Sequence, residues 1–251
     1  MTGPLEGRVA LVTGASSGIG EATASALAEL GAQVAVCARR AARLDAVARH
    51  VEWLGSKALS LPGDVTDQAF AAEIVTATIS HFGRLDILVN SAGVMPEGGV
   101  VGGDLDEWRR VVELNLMASL YTSRAAAQVM RAQRSGDIIN ISSTAGRRAT
   151  ALFGAYSTSK FGLTAMTEGL RQEVGGDGVL VCLIEPGATD TSLFEGVKDP
   201  QLRQSVQARA QRDGAMKPED VAAAVIFVAT LPPHVNVSEL LIRPTTDVAP
   251  L

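Results

Sequence analysis

The stretch VALVTGASSGIG, residues 9–20, decides the fold near the start of the 251-residue chain. An apolar run of strand length passes directly into a glycine-rich turn and then into a helical pattern. Gly14 permits a tight turn, Gly18 lets the backbone approach a pyrophosphate, and Gly20 lets the helix pack close to the strand. The helix start would offer free N–H groups and partial positive charge to that anion. The stretch predicts a phosphate-binding turn, although glycines alone leave a plain strand–helix turn as the alternative.

Short apolar runs alternate with longer amphipathic stretches along the rest of the chain. The predicted strands cover residues 8–13, Gln33–Ala38, 57–61, Ile87–Asn90, 137–142, 179–184 and 240–243. The predicted helices cover residues 20–30, 41–54, 67–82, 104–133, 155–174 and 218–230, with N-caps at Asp67 and Asp104 and a first turn at Pro218. Strands that are apolar at nearly every position fit a parallel sheet covered on both faces. Because no repeat or linker divides the chain, we expect one α/β domain over residues 1–251.

The composition disfavours several classes of function. Lys and Arg number 22 against 27 Asp and Glu, and a net charge of -5 makes nucleic acid or an anionic membrane surface a poor partner. The longest apolar run, residues 221–231, is shorter than the ~20 residues that cross a membrane, and the start lacks a secretory leader, so we expect a cytoplasmic protein. The three histidines have no metal-ligand spacing, which predicts no metal. Cys37 and Cys182 are expected to be small buried hydrophobes.

The residues after the second strand bear on the choice of nucleotide. Dinucleotide sites for NAD usually carry a carboxylate there for the adenosine 2′-hydroxyl, whereas this chain has Ala38, Arg39 and Arg40. Two guanidinium groups without a carboxylate favour a 2′-phosphate. One charge-assisted contact of ~1.5–3 kcal/mol predicts a roughly tenfold to hundredfold preference over NAD. A solvated helix start is the alternative for the two arginines.

Tyr156 and Lys160 form a candidate acid–base pair. They are four residues apart on a predicted helix and therefore share one face. A free tyrosine has a pKa of about 10, and an ammonium at ~4 Å in an effective dielectric of ~20 contributes about 4 kcal/mol, enough to lower that pKa by about three. The pair thus predicts a proton donor and acceptor that works near neutral pH, although the spacing alone is common by chance.

An ordered set of motifs resembles the classical short-chain dehydrogenase/reductase family over essentially the whole chain. The matching residues are Thr13-Gly14, Gly18-Ile19-Gly20, Asp64-Val65, Asn90-Ser91-Ala92-Gly93, Asn115, Ser142-Ser143, Tyr156, Lys160 and Pro186-Gly187. The resemblance implies a Rossmann-type, doubly wound sheet of seven parallel strands in the order 3-2-1-4-5-6-7, with helices on both faces. It also implies an NADP(H)-dependent oxidoreductase that interconverts a ketone or aldehyde and an alcohol by hydride transfer.

The resemblance assigns roles to individual residues. Tyr156 would donate a proton to the substrate oxygen in reduction and remove it in oxidation, while Ser143 would hydrogen-bond the carbonyl. Lys160 would lower the pKa of Tyr156 and bind the nicotinamide ribose, and Asn115 would hold a water that links Lys160 to solvent. The residues expected to bind the cofactor are Gly14, Ser16, Ser17, Gly18, Ile19, Gly20, Ala38, Arg39, Arg40, Asp64, Val65, Asn90, Ala92, Gly93, Tyr156, Lys160, Pro186, Gly187, Thr189 and Thr191.

The substrate is expected between residues 93–100, residues 145–153 and a flap formed by residues 191–214. The flap is predicted because this stretch is charged and Gln-rich and lies between a strand and a helix. The wall of the site would be mainly apolar and would include Val94, Met95, Ala145, Leu152, Phe153, Leu193 and Phe194. Arg147 or Arg148 could pair with a substrate carboxylate, with a solvated or structural loop position as the alternative.

Two departures from the family pattern narrow the resemblance. Ser91 replaces the usual asparagine, and residues 236–245 lack the glycine-rich turns that many relatives have around the last strand. That ending is similar to the branch of clavulanic acid dehydrogenase and of NADP-dependent hydroxy acid reductases, which suggests a secondary-metabolite or small hydroxy-compound reductase. A homodimer or homotetramer is implied, through the helix at residues 104–133 and the Tyr156 helix. The rival function is a catalytically silent NADP-binding sensor, although such proteins typically lose the tyrosine or lysine.

Overall fold

Seven parallel strands form one sheet in the computed structural model, which describes residues 3–212 and 214–250. The strands are β1 (Val9–Thr13), β2 (Gln33–Ala38), β3 (Ala58–Pro62), β4 (Ile87–Asn90), β5 (Gly136–Ile141), β6 (Val179–Pro186) and β7 (Glu239–Ile242). Their order across the sheet is β3-β2-β1-β4-β5-β6-β7, which confirms the predicted order. Positions 1, 2 and 251 of the predicted domain and position 213 of the predicted flap lie outside the described residues.

Helices connect the strands on both faces of the sheet. They are α1 (Gly18–Glu29), α2 (Ala41–Trp53), α3 (Gln68–Phe82), α4 (Leu105–Val112), α5 (Ala118–Gln133), α6 (Gly154–Val174), α7 (Pro200–Arg212) and α8 (Pro218–Ala229). Asp67 caps α3 by accepting from the N–H groups of Ala69 and Phe70, and Asp104 caps α4 by accepting from the Asp106 N–H, as predicted. Across residues 3–212 and 214–250, none of the helices combines the length and apolar character needed to cross a membrane.

The single helix predicted over residues 104–133 is interrupted. α4 and α5 are joined by a π-helical turn, Glu113–Met117, and Asn115 lies at its centre. A π-turn inserts one residue into the helical repeat and often occurs at functional sites. Periodicity could not separate this turn from the helices beside it, because all three keep helical backbone and an apolar face.

Alternate residues of β1 to β6 enter two separate hydrophobic cores. In β1, Ala10 and Val12 pack with α1, α2 and α8, whereas Leu11 faces the core on the side of α3 and α5. This alternation explains why the strands are apolar at nearly every position, since both faces of the sheet are covered. The glycine-rich turn after β1 is thereby anchored to a fully buried strand.

Cys37 and Cys182 are buried hydrophobes, as the sequence predicts. The first lies in the core beside α3 and α5, and the second lies in the core on the opposite face of the sheet. Both are free thiols. Burial raises the pKa of each thiol to about 12, so neither forms a thiolate near neutral pH.

A buried carboxylate ties the loop after β5 to the last two strands. The side chain of Glu185, near the end of β6, is fully buried, and its Oε2 lies 2.7 Å from Nε and 2.6 Å from Nη2 of Arg147. Arg147 also pairs with Glu239 of β7. Because its guanidinium pairs with these two carboxylates, Arg147 is not placed to bind a substrate carboxylate. The hypothesis that Arg147 binds the substrate is therefore wrong, whereas the hypothesis for Arg148 stays open.

Replacing Arg147 with methionine should lower the free energy of unfolding by about 3–5 kcal/mol, because Glu185 would keep a buried charge without its cation. Urea denaturation of the two proteins measures this difference. The double variant Arg147→Met, Glu185→Met should recover most of the loss, since the buried pair is replaced by apolar groups. Glu239→Gln is the matched control, because that side chain is 42% exposed. Equal losses in the single and double variants would contradict the assignment.

Candidate active site

The glycine-rich turn after β1 is shaped by close backbone contacts. Gly14 has a φ of +68°, and a Cβ added to it would lie 2.7 Å from the backbone of Ala92. A Cβ on Gly20 would lie 2.6 Å from the carbonyl oxygen of Gly14, so α1 packs directly on the turn. These distances are shorter than carbon atoms tolerate, and only glycine fits at either position.

The start of α1 is left open to an anion. Ser17 is the N-cap residue by position, but its side chain makes no capping hydrogen bond to the first turn. Its hydroxyl instead accepts a hydrogen bond from Nη2 of Arg40 at 2.7 Å, and the same nitrogen lies 3.0 Å from Oγ of Ser16. The uncapped N–H groups and the Arg40 guanidinium therefore lie on one side of the turn, an arrangement that suits phosphate groups.

A first cleft of about 420 Å³ extends from this turn along the carboxyl edge of the sheet. At the end of β2, Arg39 Nη1 lies 3.8 Å from Oδ2 of Asp64, and both side chains are largely exposed. The expected cofactor-binding residues that line the first cleft are Gly14, Ser16, Ser17, Gly18, Ile19, Ala38, Arg39, Arg40, Asp64, Val65, Ala92, Gly93, Tyr156, Lys160 and Thr191.

The cleft has the features that a dinucleotide phosphate cofactor requires. Its glycines leave room for close backbone approach, and the end of β2 supplies two guanidinium groups and no carboxylate of its own. Arg39 and Arg40 could hold a 2′-phosphate, and the α1 N-terminus could hold the pyrophosphate. The residues present thus fit such a group.

A second cleft of about 450 Å³ adjoins the first. Tyr156 and Thr191 line both clefts, so the Tyr156 side chain lies at their junction. Ser143, Pro186, Gly187 and Thr189 line the second cleft. All of the apolar side chains expected at the substrate wall line it as well, except Val94, which lies in the first cleft.

Ser143, Tyr156 and Lys160 are brought together by β5 and α6. Ser143 follows β5, and its Oγ accepts a hydrogen bond from the Ala145 N–H at 3.1 Å. The Ser143 side chain also lies close enough to the phenol of the buried Tyr156 to lower its pKa. Lys160, one turn along α6, donates from Nζ to the carbonyl of Ile141 at 2.8 Å, and Nζ lies 5.8 Å from the centre of the Tyr156 ring.

Burial controls the protonation of the two reactive groups. It raises the pKa of Tyr156, and the nearby Ser143 side chain opposes that rise only in part. Burial also lowers the pKa of Lys160, from 10.5 to about 8. The expected lowering of the tyrosine pKa is therefore wrong in direction for this structure, because desolvation raises that pKa and the Lys160 ammonium is bonded to the Ile141 carbonyl.

Asn115 acts on the backbone beside the site. Its Nδ2 donates to the carbonyl of Val94 and its Oδ1 accepts from the Val94 N–H, both at 2.9 Å, while Nδ2 also lies 3.1 Å from Oγ of Ser159. A Cβ on Gly93 would lie 3.3 Å from Asn115 Oδ1 and 3.9 Å from Lys160 Nζ. Asn115 thus holds the loop after β4 against α6 without lining either cleft.

Asn90 has a different place from the expected one. Its side chain is buried behind the cleft, where Nδ2 donates to Ser123 Oγ and Asn140 Oδ1, each at 2.9 Å, and Oδ1 accepts from Thr122 at 2.7 Å. The amide therefore joins β4, β5 and α5 and lines neither cleft. Gly20 also lies outside both clefts, and its role is the close packing of α1 on the turn.

The flap lines both clefts and is held by polar contacts. It includes the 3₁₀ turn Ser192–Gly196 and the helix α7. The Glu97 carboxylate accepts hydrogen bonds from the N–H groups of Lys198 and Asp199, at 2.7 and 3.1 Å. On the other side, Ser192 Oγ lies 3.3 Å from Oγ of Ser17 in the glycine-rich turn. The flap is therefore attached to two loops of the site.

Sequence reasoning missed several residues of the site. The Ile141 carbonyl, which holds Lys160, lies at the end of a parallel strand, and that position alone signals proximity to a site. Ser159, Ser192 and Glu97 gave no comparable signal. Their contacts depend on segments that are distant in sequence, as with Glu97 and Lys198, which are 101 residues apart.

Known proteins are similar to this chain over nearly its whole length. A glycine betaine reductase of Emericella nidulans is 39% identical over 247 residues, which cover 98% of this chain but only 19% of that protein. An uncharacterized oxidoreductase of Staphylococcus aureus strain USA300 is 37% identical over 240 residues, 96% of this chain and 98% of the relative. The crystal structure of a metagenomic short-chain oxidoreductase in complex with NADP aligns with a TM-score of 0.82 and 35% identity, and covers 96% of this chain and 99% of that one.

Residues 8–202 match the family described as short chain dehydrogenase. The match includes the glycine-rich turn, the tyrosine–lysine pair of α6 and the serine that contacts the tyrosine. The geometry and the relatives agree, and the chain belongs to the short-chain dehydrogenase family of oxidoreductases.

Proposed function

We propose that this protein is an NADP(H)-dependent oxidoreductase that interconverts a ketone or aldehyde and an alcohol, with Tyr156 as the acid–base catalyst. One observation carries the proposal: the Tyr156 phenol, with the Ser143 side chain beside it, lies where the first and second clefts meet. A carbonyl compound in the second cleft would there be next to both hydroxyl groups. The nicotinamide, when bound in the first cleft, supplies or accepts the hydride.

The basic end of the first cleft supports NADP(H) as the cofactor. Arg40 is held by Ser16 and Ser17, so its guanidinium is ordered beside the turn rather than dispersed in solvent. The 35% identical metagenomic oxidoreductase has a structure in complex with NADP. The two arginines at the site for the 2′-phosphate and the NADP complex of this similar protein both support NADP(H) as the cofactor.

The protonation of Tyr156 suits its proposed role in reduction. Because burial raises its pKa, the phenol keeps its proton at neutral pH and can give it to the developing alkoxide. Ser143 would donate to the same substrate oxygen and hold it near the phenol. Lys160, charged below a pH of about 8, would bind the cofactor ribose. Asn115, through Val94 and Ser159, keeps the surrounding loop in register; whether it also holds a water for proton return stays a prediction.

The remaining expectations become part of the same proposal. The mainly apolar second cleft supports a secondary metabolite or a small hydroxy compound as the substrate. The presence of Ser143, Tyr156 and Lys160 disfavours a catalytically silent NADP-binding sensor. We also propose a cytoplasmic homodimer or homotetramer. Phe161, which is 45% exposed, lies on α6, one of the two helices through which the family resemblance implies that subunits pair.

Tyr156→Phe should lower kcat/KM for carbonyl reduction by about 10²–10⁴-fold, because general acid catalysis contributes on that order. The Kd for NADPH should change little. Absorbance loss of NADPH over a panel of ketones and aldehydes, together with fluorescence titration of NADPH, measures both quantities. Tyr121→Phe is the matched control, since this second tyrosine contacts Glu113 away from both clefts and should retain full activity. Tight NADPH binding without turnover across the panel in the unmodified protein would favour the sensor.

Arg40→Ala should reduce the preference for NADPH over NADH by roughly tenfold to hundredfold, because one charge-assisted contact to the 2′-phosphate is lost. The preference is the ratio of kcat/KM values for the two cofactors with one substrate. Arg43→Ala, an exposed position one turn further along α2, should leave the ratio unchanged. The cofactor assignment fails if the unmodified protein uses NADH and NADPH equally well.

Lys160→Met should stabilise the fold while it removes activity. The buried ammonium has a pKa of about 8 instead of 10.5, so burying its charge costs about 3 kcal/mol of folding free energy. Methionine removes this cost, and the loss of the hydrogen bond to Ile141 offsets part of the gain in stability. The unfolded chain binds this proton more tightly, so the stability of the unmodified protein should rise between pH 8 and 10.5. Thermal unfolding across this range, with the exposed Lys57→Met as control, measures both effects. A variant that is less stable than the unmodified protein at pH 7 would contradict the assignment.

A further inference from the structure

Two adjacent arginines of the loop after β5 have different surroundings. Arg147 is committed to Glu185 and Glu239, whereas Arg148 lines the second cleft. The only hydrogen bond of the Arg148 side chain among the described residues runs from Nη1 to the carbonyl of Pro250, at 2.6 Å. A neutral carbonyl accepts one of the five guanidinium donors, and within residues 3–212 and 214–250 no carboxylate pairs with the Arg148 charge.

Arg148 is kept close to the reacting end of the cleft. Its backbone N–H donates to the carbonyl of Thr144 at 3.1 Å, which folds the loop back towards Ser143. Ser143, Thr144 and Ala145 line the same cleft as Arg148. A substrate whose carbonyl oxygen meets Ser143 and Tyr156 would therefore extend towards the guanidinium along a single wall.

The other charged residue of the second cleft is already balanced. Asp247 accepts a hydrogen bond from the Ala249 N–H at 3.1 Å, and its Oδ2 lies 3.8 Å from Nη1 of Arg243. The rest of the lining consists of apolar residues, one glycine and nine residues with neutral hydroxyl groups, such as Thr150 and Ser205. Among the described residues that line this cleft, the net charge presented to a substrate is thus positive, and its source is Arg148.

An apolar cleft with one unbalanced cation suits an amphipathic anion. Apolar walls favour a hydrocarbon body, and the guanidinium can pair with a carboxylate through its unused donors. We propose that Arg148 determines specificity for carbonyl substrates that carry a carboxylate separated from the reacting carbonyl by an apolar segment. The inference rests on the proposed function and adds the substrate class to it.

The test compares straight-chain methyl ketones that end in a carboxylate with the methyl esters of the same acids. The unmodified protein should reduce the best acid with a kcat/KM about 10–100-fold above that of its ester, the range for one charge-assisted contact. Arg148→Gln should abolish this ratio mainly through a higher KM for the acid. Arg148→Lys should retain part of it, because the charge remains but the fork geometry is lost.

Arg49→Gln controls for a general change in charge, since Arg49 is exposed on α2, away from the second cleft, and should leave the ratio unchanged. Equal use of acids and esters by the unmodified protein, or an acid preference that survives in Arg148→Gln, would overturn the inference and leave the proposed function intact. If neither series is reduced, the proposed function fails for these ketones. In that case, calorimetry measures the Kd of each acid for the NADPH complex. The inference then requires a Kd at least about tenfold higher for Arg148→Gln than for the unmodified protein.

Discussion

The close approach of two backbone segments at the carboxyl edge of the sheet underlies the rest of the structure. Gly14 after β1 and Ala92 after β4 are so near each other that any side chain on Gly14 would collide with the Ala92 backbone. β1 and β4 are neighbours in the sheet, but their helices cover opposite faces. A crevice therefore opens between the two crossovers, and the first cleft occupies it. The second cleft, the flap and α6 are all arranged around that crevice.

Burial sets the pKa values of the reactive residues and lowers the stability of the folded protein. Tyr156 and Lys160 are both almost inaccessible to water, so each is shifted towards its neutral form. A neutral phenol is a ready proton donor, and an ammonium with a pKa of about 8 can exchange its proton near physiological pH. The polar contacts of Ser143, Asn115 and the Ile141 carbonyl offset part of this cost. In many enzymes the groups needed for activity lower the stability of the fold in this way.

Residues of one type take different roles here because their partners come from distant segments. Arg147 and Arg148 are adjacent, yet one is held by carboxylates of β6 and β7 while the other faces the second cleft. Asn90 and Asn115 each follow directly after a buried apolar residue in the sequence. Asn90 joins β4 to β5 and α5, whereas Asn115 pairs with the backbone of Val94 in the adjoining loop. Sequence patterns reveal that such residues are polar and near a strand end, but not which neighbour satisfies them.

The sequence by itself determined the order of strands and helices, the glycine-rich turn and the family. These features depend on local periodicity, on glycine's backbone freedom and on short motifs, all of which are written along the chain. The tertiary structure alone decided the π-turn that carries Asn115, the separation of Arg147 from Arg148, the buried place of Asn90 and the rise in the Tyr156 pKa. Each of these depends on which atoms surround a side chain and how much water they exclude. Desolvation and hydrogen-bond partners are properties of the packed molecule, so no spacing in the sequence could supply them.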